Sequence, residues 1–379
     1  MAKSKKKEVE EEGEAKISLN SSDINKILNK KAGREVSFDL TEDNPTKVSG
    51  WIPTGSRWLD SIISKGELAG IPIGKISEIA GLESTGKSYM AAQIASNAQK
   101  MGMRVVYFDS ESAIDPDFLE SAGCDVKNLN YVQASSVEFV LESIETITSL
   151  SNRTLFIWDS LAFCPSNSDV EGDFNPQSSM AVKPRVLSKG MSKLLQPLAN
   201  TESSLLILNQ LKTNITKSVA EALTTPYFTP GGKAVIYAYS LRIWLTGRKA
   251  KDSFVTDDRG YRIGSEVKAK LEKSRFGTQG RACTFKILWG SDSAVIQDKE
   301  SWLEAIKPSE HLITKGSWYY LTDPKNEEKV IKFQKKEWLN KLEDQEFFDL
   351  VISIMDEEVV CKFDKKLGNA EQFYSIPEE

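Results

Sequence analysis

Short apolar runs punctuate the middle of this chain at Val105–Phe108, Leu155–Trp158 and Leu205–Leu208, with a further strand-like stretch at Lys75–Ala80. Apolar runs without alternation fit strands buried on both faces. Tyr89–Ala95 reads as a helix, and between Trp158 and Leu205 a second helix carries Val186, Met191, Leu194, Leu195 and Leu198 on one face. Strands separated by helices predict an α/β core, a mainly parallel central sheet covered by helices. Three later stretches, Leu241–Leu245, Glu266–Lys273 and Ala282–Trp289, are separated by turn residues and are expected to extend that sheet as antiparallel strands.

The texture differs at both ends. Residues 17–34 place Ile24, Ile27 and Leu28 between charges, as one short amphipathic helix would. Beyond Gly290, Trp318–Leu321 reads as a strand and Trp338–Met355 as helical, which predicts a small α+β domain. The expected division is a charged tail over 1–16, a helix and linker over 17–48, a core over 49–290 and an accessory domain over 291–379. No internal repeat is visible.

Composition narrows the class. A chain of 379 residues exceeds one small core, and 40% apolar with 27% charged residues describes a soluble globular protein. No apolar run approaches the roughly 20 residues that span a bilayer, so no membrane partner is expected. The basic opening Met1–Lys7 leads into Glu8–Glu12, not into an apolar segment, and is read as a solvated tail. Four scattered cysteines without a C-x-x-C pair argue against a zinc ribbon or disulfide framework and for a reducing cytoplasm. His311 is the only histidine, so catalysis must run on carboxylates, lysines, hydroxyls and bound metal. The net charge of −5 weighs mildly against a purely electrostatic nucleic-acid binder, although a local basic strip can still follow phosphates.

The chemistry concentrates at Gly81-Leu82-Glu83-Ser84-Thr85-Gly86-Lys87-Ser88, which fits G-x-x-x-x-G-K-[ST] between a strand and a helix. Glycines let successive N–H groups face one anion, and the helix N-terminus adds partial positive charge. Lys87 would reach the β/γ-phosphates of ATP, and the Ser88 hydroxyl would sit on Mg²⁺. Asp159, closing the run Leu155–Trp158, is the second candidate magnesium group. A general base is expected after Val105–Phe108, where the residues alone leave Glu111 and Asp109 both open. Asn209-Gln210 ends the next strand and could feel the γ-phosphate. It leads into a long polar segment, Leu211–Thr229, closed by Pro230-Gly231-Gly232.

In this order the motifs resemble the RecA-family homologous recombinases, of the bacteriophage type, over roughly residues 50–360. The resemblance rests on Thr54-Gly55-Ser56 with Leu59-Asp60, Gly81–Ser88, Glu111–Pro116, Trp158-Asp159-Ser160, Asn209-Gln210, Gly231-Gly232 and Lys268–Arg275. It implies Glu111 as the catalytic glutamate, Asp115 and Phe118 at the adenine, and Gln210 as γ-phosphate sensor. It also implies that Lys273 and Arg275 reach a neighbouring subunit's ATP, with arginine standing where the family has a second lysine. Two segments resemble DNA-binding loops: Asn167–Arg185, with Met180, Lys183 and Arg185, and Leu211–Thr229, with Lys212, Ile215 as a wedge between bases, and Lys217. Gly231 and Gly232 complete the second.

The N-terminal helix resembles a segment laid on an adjacent subunit, and Tyr237 falls where the family packs that interface, although a buried aromatic within one subunit fits Tyr237 equally. The C-terminal domain resembles one that meets duplex DNA, with Gly316–Tyr319 and Trp338-Leu339 as matching features. The implied function is ATP-dependent filament formation on single-stranded DNA, with pairing to homologous double-stranded DNA and strand exchange. Loader and single-strand-binding proteins are the further partners. A ring-forming motor shares the P-loop. The missing zinc ribbon, the lack of a large extra N-terminal domain and the Glu111–Pro116 motif count against it. A nucleotide-regulated scaffold without catalysis is the third class.

Overall fold

The computed structural model describes residues 20–41, 44–172, 182–214, 226–247, 253–289 and 295–360. The chain divides into two compact units, 1–47 and 48–379. In the first unit, helix α1 (Ser21–Ala32) is capped by the Asn20 side chain on the N–H of Asp23 and stopped by Gly33 in the left-handed conformation. It buries none of its residues, and Ile24, Ile27 and Leu28 stay exposed.

The second unit opens with β1 (Trp51–Ile52), α2 (Arg57–Ile63) and β2 (Ile71–Pro72). A run of β3 (Ile76–Gly81), α3 (Lys87–Lys100), β4 (Arg104–Asp109), α4 (Pro116–Ser121), β5 (Leu129–Gln133), α5 (Val137–Leu150) and β6 (Thr154–Asp159) follows. Next come α6 (Asn167–Glu171), α7 (Val182–Asn200), β7 (Ser204–Gln210), β8 (Lys212–Thr213), β9 (Tyr227–Phe228) and α8 (Lys233–Ala238). The strands β10 (Leu241–Thr246), β11 (Phe254–Thr256), β12 (Arg262–Ser274), β13 (Ala282–Leu288) and β14 (Ile296–Gln297) complete the main sheet.

That sheet runs β14-β13-β12-β10-β3-β7-β6-β4-β5, with β11 beside β12. From β10 to β5 every pairing is parallel. Alternate residues of each central strand enter different cores. Leu155 and Ile157 join α3 on one face, while Phe156 and Trp158 join α5 and α7 on the other. Two-sided burial is why these strands lack a polar alternation.

Two expectations change here. Leu241–Leu245 is not antiparallel to the core: β10 runs parallel to β3, and the antiparallel extension begins only at β12. Leu241, Ile243 and Leu245 are buried like the residues of the other parallel strands, which the turn signals around them concealed. The buried stripe of α7 is Leu187, Met191, Leu194 and Leu198, spaced four, three and four, while Leu195 is 37% exposed.

The remaining residues form α9 (Asp298–Ile306), a sheet of β15 (Leu312–Lys315), β16 (Trp318–Asp323) and β17 (Asn326–Gln334), then α10 (Trp338–Lys341) and α11 (Gln345–Ile354). Tyr319, Leu321, Phe333, Trp338 and Phe347 lie in their shared core. The helical stretch expected over Trp338–Met355 is interrupted, because the Asp344 carboxylate caps a new helix by accepting from the N–H of Phe347.

Candidate active site

Parallel strands direct their carboxyl ends to one edge of the sheet, and there the polar residues gather. Strand β3 ends at Gly81, opposite Gln210 of β7, while β4 and β6 end side by side at Asp109 and Asp159. A loop from Leu82 then turns into α3, with Ser84 at φ +58° and Gly86 at φ +77°. A Cβ on Gly81 would collide with the Thr85 hydroxyl, and one on Gly86 would press into Ile287. The loop therefore closes tightly only with glycine at both places.

Lys87 Nζ donates to the carbonyls of Leu82 (3.0 Å) and Gly81 (3.3 Å). Burial lowers its pKa, and the charges of Asp159, Glu111 and Glu83 act in the opposite direction. Ser88 Oγ donates to Asp159 Oδ2 at 2.8 Å, and Tyr107 Oη donates to the same oxygen at 2.9 Å. Burial raises the Asp159 pKa, the two hydroxyl bonds oppose it, and the Glu111 and Asp109 charges add to it. The Asp159–Ser160 peptide is cis.

The two carboxylates after β4 have different surroundings. Asp109 is buried and accepts from the backbone N–H groups of Glu111 (2.9 Å), Ala113 (2.9 Å) and Ile114 (3.1 Å), and from Tyr131 Oη (3.2 Å). Glu111 is exposed and takes one hydroxyl bond, from Ser160 Oγ at 2.5 Å. A cavity of about 420 Å³ lies over the loop, lined by residues 84–89 with Arg262 and Trp289. A second, of about 260 Å³, is lined by Ser88, Tyr89, Asp109, Glu111, Ala113, Ile114, Phe118 and Asp159. Tyr89 stands in both walls and meets the Phe118 ring edge-on at 4.6 Å. Asp115 caps α4 through the N–H of Asp117.

The family model of the RecA N-terminal domain matches residues 19–294. The chain belongs to the RecA family. It is 29% identical over 296 residues to Protein RecA of Fusobacterium nucleatum, an alignment covering 78% of this chain and 74% of that protein. Against Protein RecA of Aquifex aeolicus it is 29% identical, covering 78% and 81%, and against that of Chlamydia felis 28%, covering 79% and 81%. It is thus an ATP-dependent recombinase of DNA recombination and repair, and a DNA-dependent ATPase.

The outer parts of the RecA-type site are placed unevenly. Met180, Ile215 and Lys217 lie outside the described residues. Lys183 and Arg185 sit on the first turns of α7, not in a loop. Lys183 Nζ is turned inward, donating to the carbonyls of Leu161 (2.8 Å) and Ala162 (3.2 Å), whereas Arg185 is exposed. Lys212 is exposed in β8, and the β8–β9 ladder closes the base of the second segment two residues past Gln210. Gly231 (φ +114°) and Gly232 (φ +86°) turn the chain into α8.

Tyr237 is 69% exposed, so it is not a buried aromatic within this subunit. Lys273 Nζ donates to the carbonyls of Ile236 (2.7 Å) and Tyr237 (3.2 Å), and Arg275 to that of Tyr237 (2.7 Å). These three form one surface group.

Sequence reasoning gave no role to Tyr107, Tyr131, Ser160, Tyr89, Trp289 and Arg262, whose roles arise only once the elements are folded together. It also passed over Glu78 and Arg242, each in a strand it identified. A charge inside a strand buried on both faces demands a partner, and that signal was available. No described helix is long and apolar enough to cross a membrane.

Proposed function

We propose that this recombinase assembles as a helical filament on single-stranded DNA, samples homologous duplex, and exchanges strands. ATP would lie in the two adjoining cavities, with its phosphates on residues 81–88 and its base near Asp115, Phe118 and Tyr89. The observation that carries this reading is the convergence of Lys87, Ser88, Asp159, Glu111 and Gln210 at one edge of the sheet, with the second DNA segment rooted directly after Gln210.

Ser88 Oγ and Asp159 Oδ2 are hard oxygen donors that suit Mg²⁺. Mg²⁺ held by them would neutralise charge on the phosphate oxygens. Lys87 would exchange its carbonyl partners for phosphate oxygens. Glu111 would orient and deprotonate the attacking water, since its carboxylate is exposed where that of Asp109 is committed to four donors. Gln210 would sense the γ-phosphate from the strand beside Gly81 and pass that state to Lys212, Ile215 and Lys217. Met180, Lys183 and Arg185 would serve the first DNA segment, Lys183 only after leaving its carbonyl partners.

Between subunits, Lys273 and Arg275 would complete the neighbour's site, with Tyr237 and the Ile24–Ile27–Leu28 face of α1 at the same junction. The accessory domain would meet duplex DNA. A bacteriophage origin, with work in the host-cell cytoplasm beside loader and single-strand-binding proteins, completes the proposal. Electron microscopy with single-stranded DNA and a non-hydrolysable ATP analogue tests it. Open filaments that require nucleotide are expected, and closed rings would overturn the reading.

A further inference from the structure

The strand that delivers the P-loop carries a buried anion three residues before Gly81. Glu78 is wholly buried, and directly opposite it on β10 stands Arg242, also buried. Arg242 Nε donates to Glu78 Oε2 at 2.6 Å, and its Nη2 donates to Thr229 Oγ1 at 2.9 Å. Asn209, opposite Ala80 on β7, donates its side-chain amide to Glu78 Oε1 and to the Pro230 carbonyl, each at 3.0 Å. Its own Oδ1 accepts from the backbone N–H of Gln210 at 3.0 Å. The Arg242 guanidinium also lies 5.6 Å from the ring centres of Tyr239 and Trp244.

A buried ion pair is a poor way to stabilise a strand interior, because an apolar pair of similar volume serves as well or better. What this one does that an apolar pair could not is hold two external points by directed bonds. Both points, Thr229 and Pro230, lie where the segment after Gln210 returns to the core and leads into Gly231-Gly232. Charge-assisted bonds at low dielectric are short and directional, so a displacement at one end is resisted at the other.

We propose that Arg242 is a positioning residue for the recombinase reaction, fastening the returning end of the second DNA segment to the strand that carries the P-loop. The outgoing end of that segment is tied to the nucleotide edge through Gln210, and Arg242 with Glu78 and Asn209 ties the other end. Both ends are thereby referred to β3, and a change at Gly81–Ser88 reaches Pro230-Gly231-Gly232 through a path that does not use the Gln210 side chain. This inference rests on the reading of residues 211–229 as a DNA-contacting segment.

Arg242→Lys keeps a cation for Glu78 but removes the fork that also reaches Thr229. Thr229→Val cuts the same link from the other side. In the full chain, Arg242→Lys should keep its KM for ATP and its DNA-free turnover within about two-fold, while the DNA-stimulated kcat falls at least about ten-fold. The double variant should be no worse than Arg242→Lys alone, because both remove one link. Wild-type stimulation in Arg242→Lys, or additive losses that follow thermal stability, would overturn the proposal. A wild-type ATPase that ignores single-stranded DNA would instead strike the underlying functional reading, so the two failures are told apart.

Discussion

Ser160 Oγ donates to Glu111 Oε1 at 2.5 Å, joining the residue after the Asp159 carboxylate to the loop after β4. Because β4 and β6 are parallel neighbours ending at Asp109 and Asp159, this bond ties the ends of the two strands together beside the cavity that Glu111, Asp159 and Ser88 line. It holds one oxygen of an exposed carboxylate and leaves the second outside that bond. Asp109, two residues earlier, is built into the backbone of the same loop.

Glu111→Gln should therefore retain ATP and DNA binding but lose about 10²–10⁴-fold in DNA-stimulated hydrolysis, the range for removing a general base. The glutamine can still accept from Ser160, so the loop is undisturbed. Phosphate release with saturating single-stranded DNA is the measurement, and near-normal turnover would mean that another group activates the water.

Asp109→Asn should act through folding. A carboxamide offers one acceptor oxygen where the carboxylate uses two, so at least one backbone N–H of the loop loses its partner. The expected loss is about 1–3 kcal/mol in denaturant unfolding, against little change for Glu111→Gln. Equal stabilities for the two variants would contradict the division of labour drawn here.

Much of this arrangement is legible in the sequence because the nucleotide edge is written locally. Gly81–Ser88 needs only its neighbours, and Asp159 announces itself by closing an apolar run. The separation of Glu111 from Asp109 was not legible by pattern, since it depends on Ser160 and Tyr131, which arrive from other strands. The partners of Arg242 hid for a related reason: they lie 164 residues upstream and 13 residues upstream, and the β3–β10 register is what brings Glu78 opposite it. The direction of β10 was misread because a strand's pairing partner is a property of the sheet, not of its own residues. Strand β5 escaped notice because at the sheet edge only Leu129 and Val132 are half-buried, one on each face, leaving little apolar signal.

Lys87→Ala should abolish nucleotide-dependent DNA binding. The ammonium is the cation already lodged in the loop, held by the Gly81 and Leu82 carbonyls, and alanine leaves the phosphates without it. Filter binding or anisotropy with and without an ATP analogue checks this. An ATP-sensitive DNA affinity like that of the wild type would separate DNA gripping from this loop.

Two buried acids predict a pH response. Burial pushes Asp60 up to about 8, although it accepts from the Thr54 hydroxyl (2.7 Å) and backbone N–H (3.1 Å), and pushes Asp298 up to about 6. Both exceed the ordinary value of 3.8, so between these limits the folded chain holds protons that the unfolded chain releases. Stability from these groups is greatest below the ordinary value and declines as pH rises, until about 6 for Asp298 and until about 8 for Asp60, by up to about 1.4 kcal/mol per pH unit for each. Asp60→Asn, which keeps an acceptor for Thr54, should flatten the decline above pH 6. Denaturant midpoints at pH 6 and pH 8 decide it, and an equal drop in variant and wild type would show Asp60 ionised throughout.

Lys273 and Arg275 offer the sharpest test of assembly. Within the subunit both are spent on the carbonyls of Ile236 and Tyr237, beside an aromatic ring left open to solvent. If they complete a neighbour's site, Lys273→Ala and Lys87→Ala are each inactive for a different reason. Lys273→Ala has an intact P-loop but fails its neighbour, and Lys87→Ala has the reverse defect. A head-to-tail interface in a random one-to-one mixture then pairs an intact P-loop with an intact Lys273 at about a quarter of the junctions. DNA-stimulated ATPase should accordingly reappear on mixing, at up to about that fraction of wild type, though neither variant has it alone. Co-sedimentation of the differently tagged variants with single-stranded DNA confirms that they share filaments. Shared filaments with no recovered activity would return Lys273 to its own subunit, as a strut for the carboxyl end of α8.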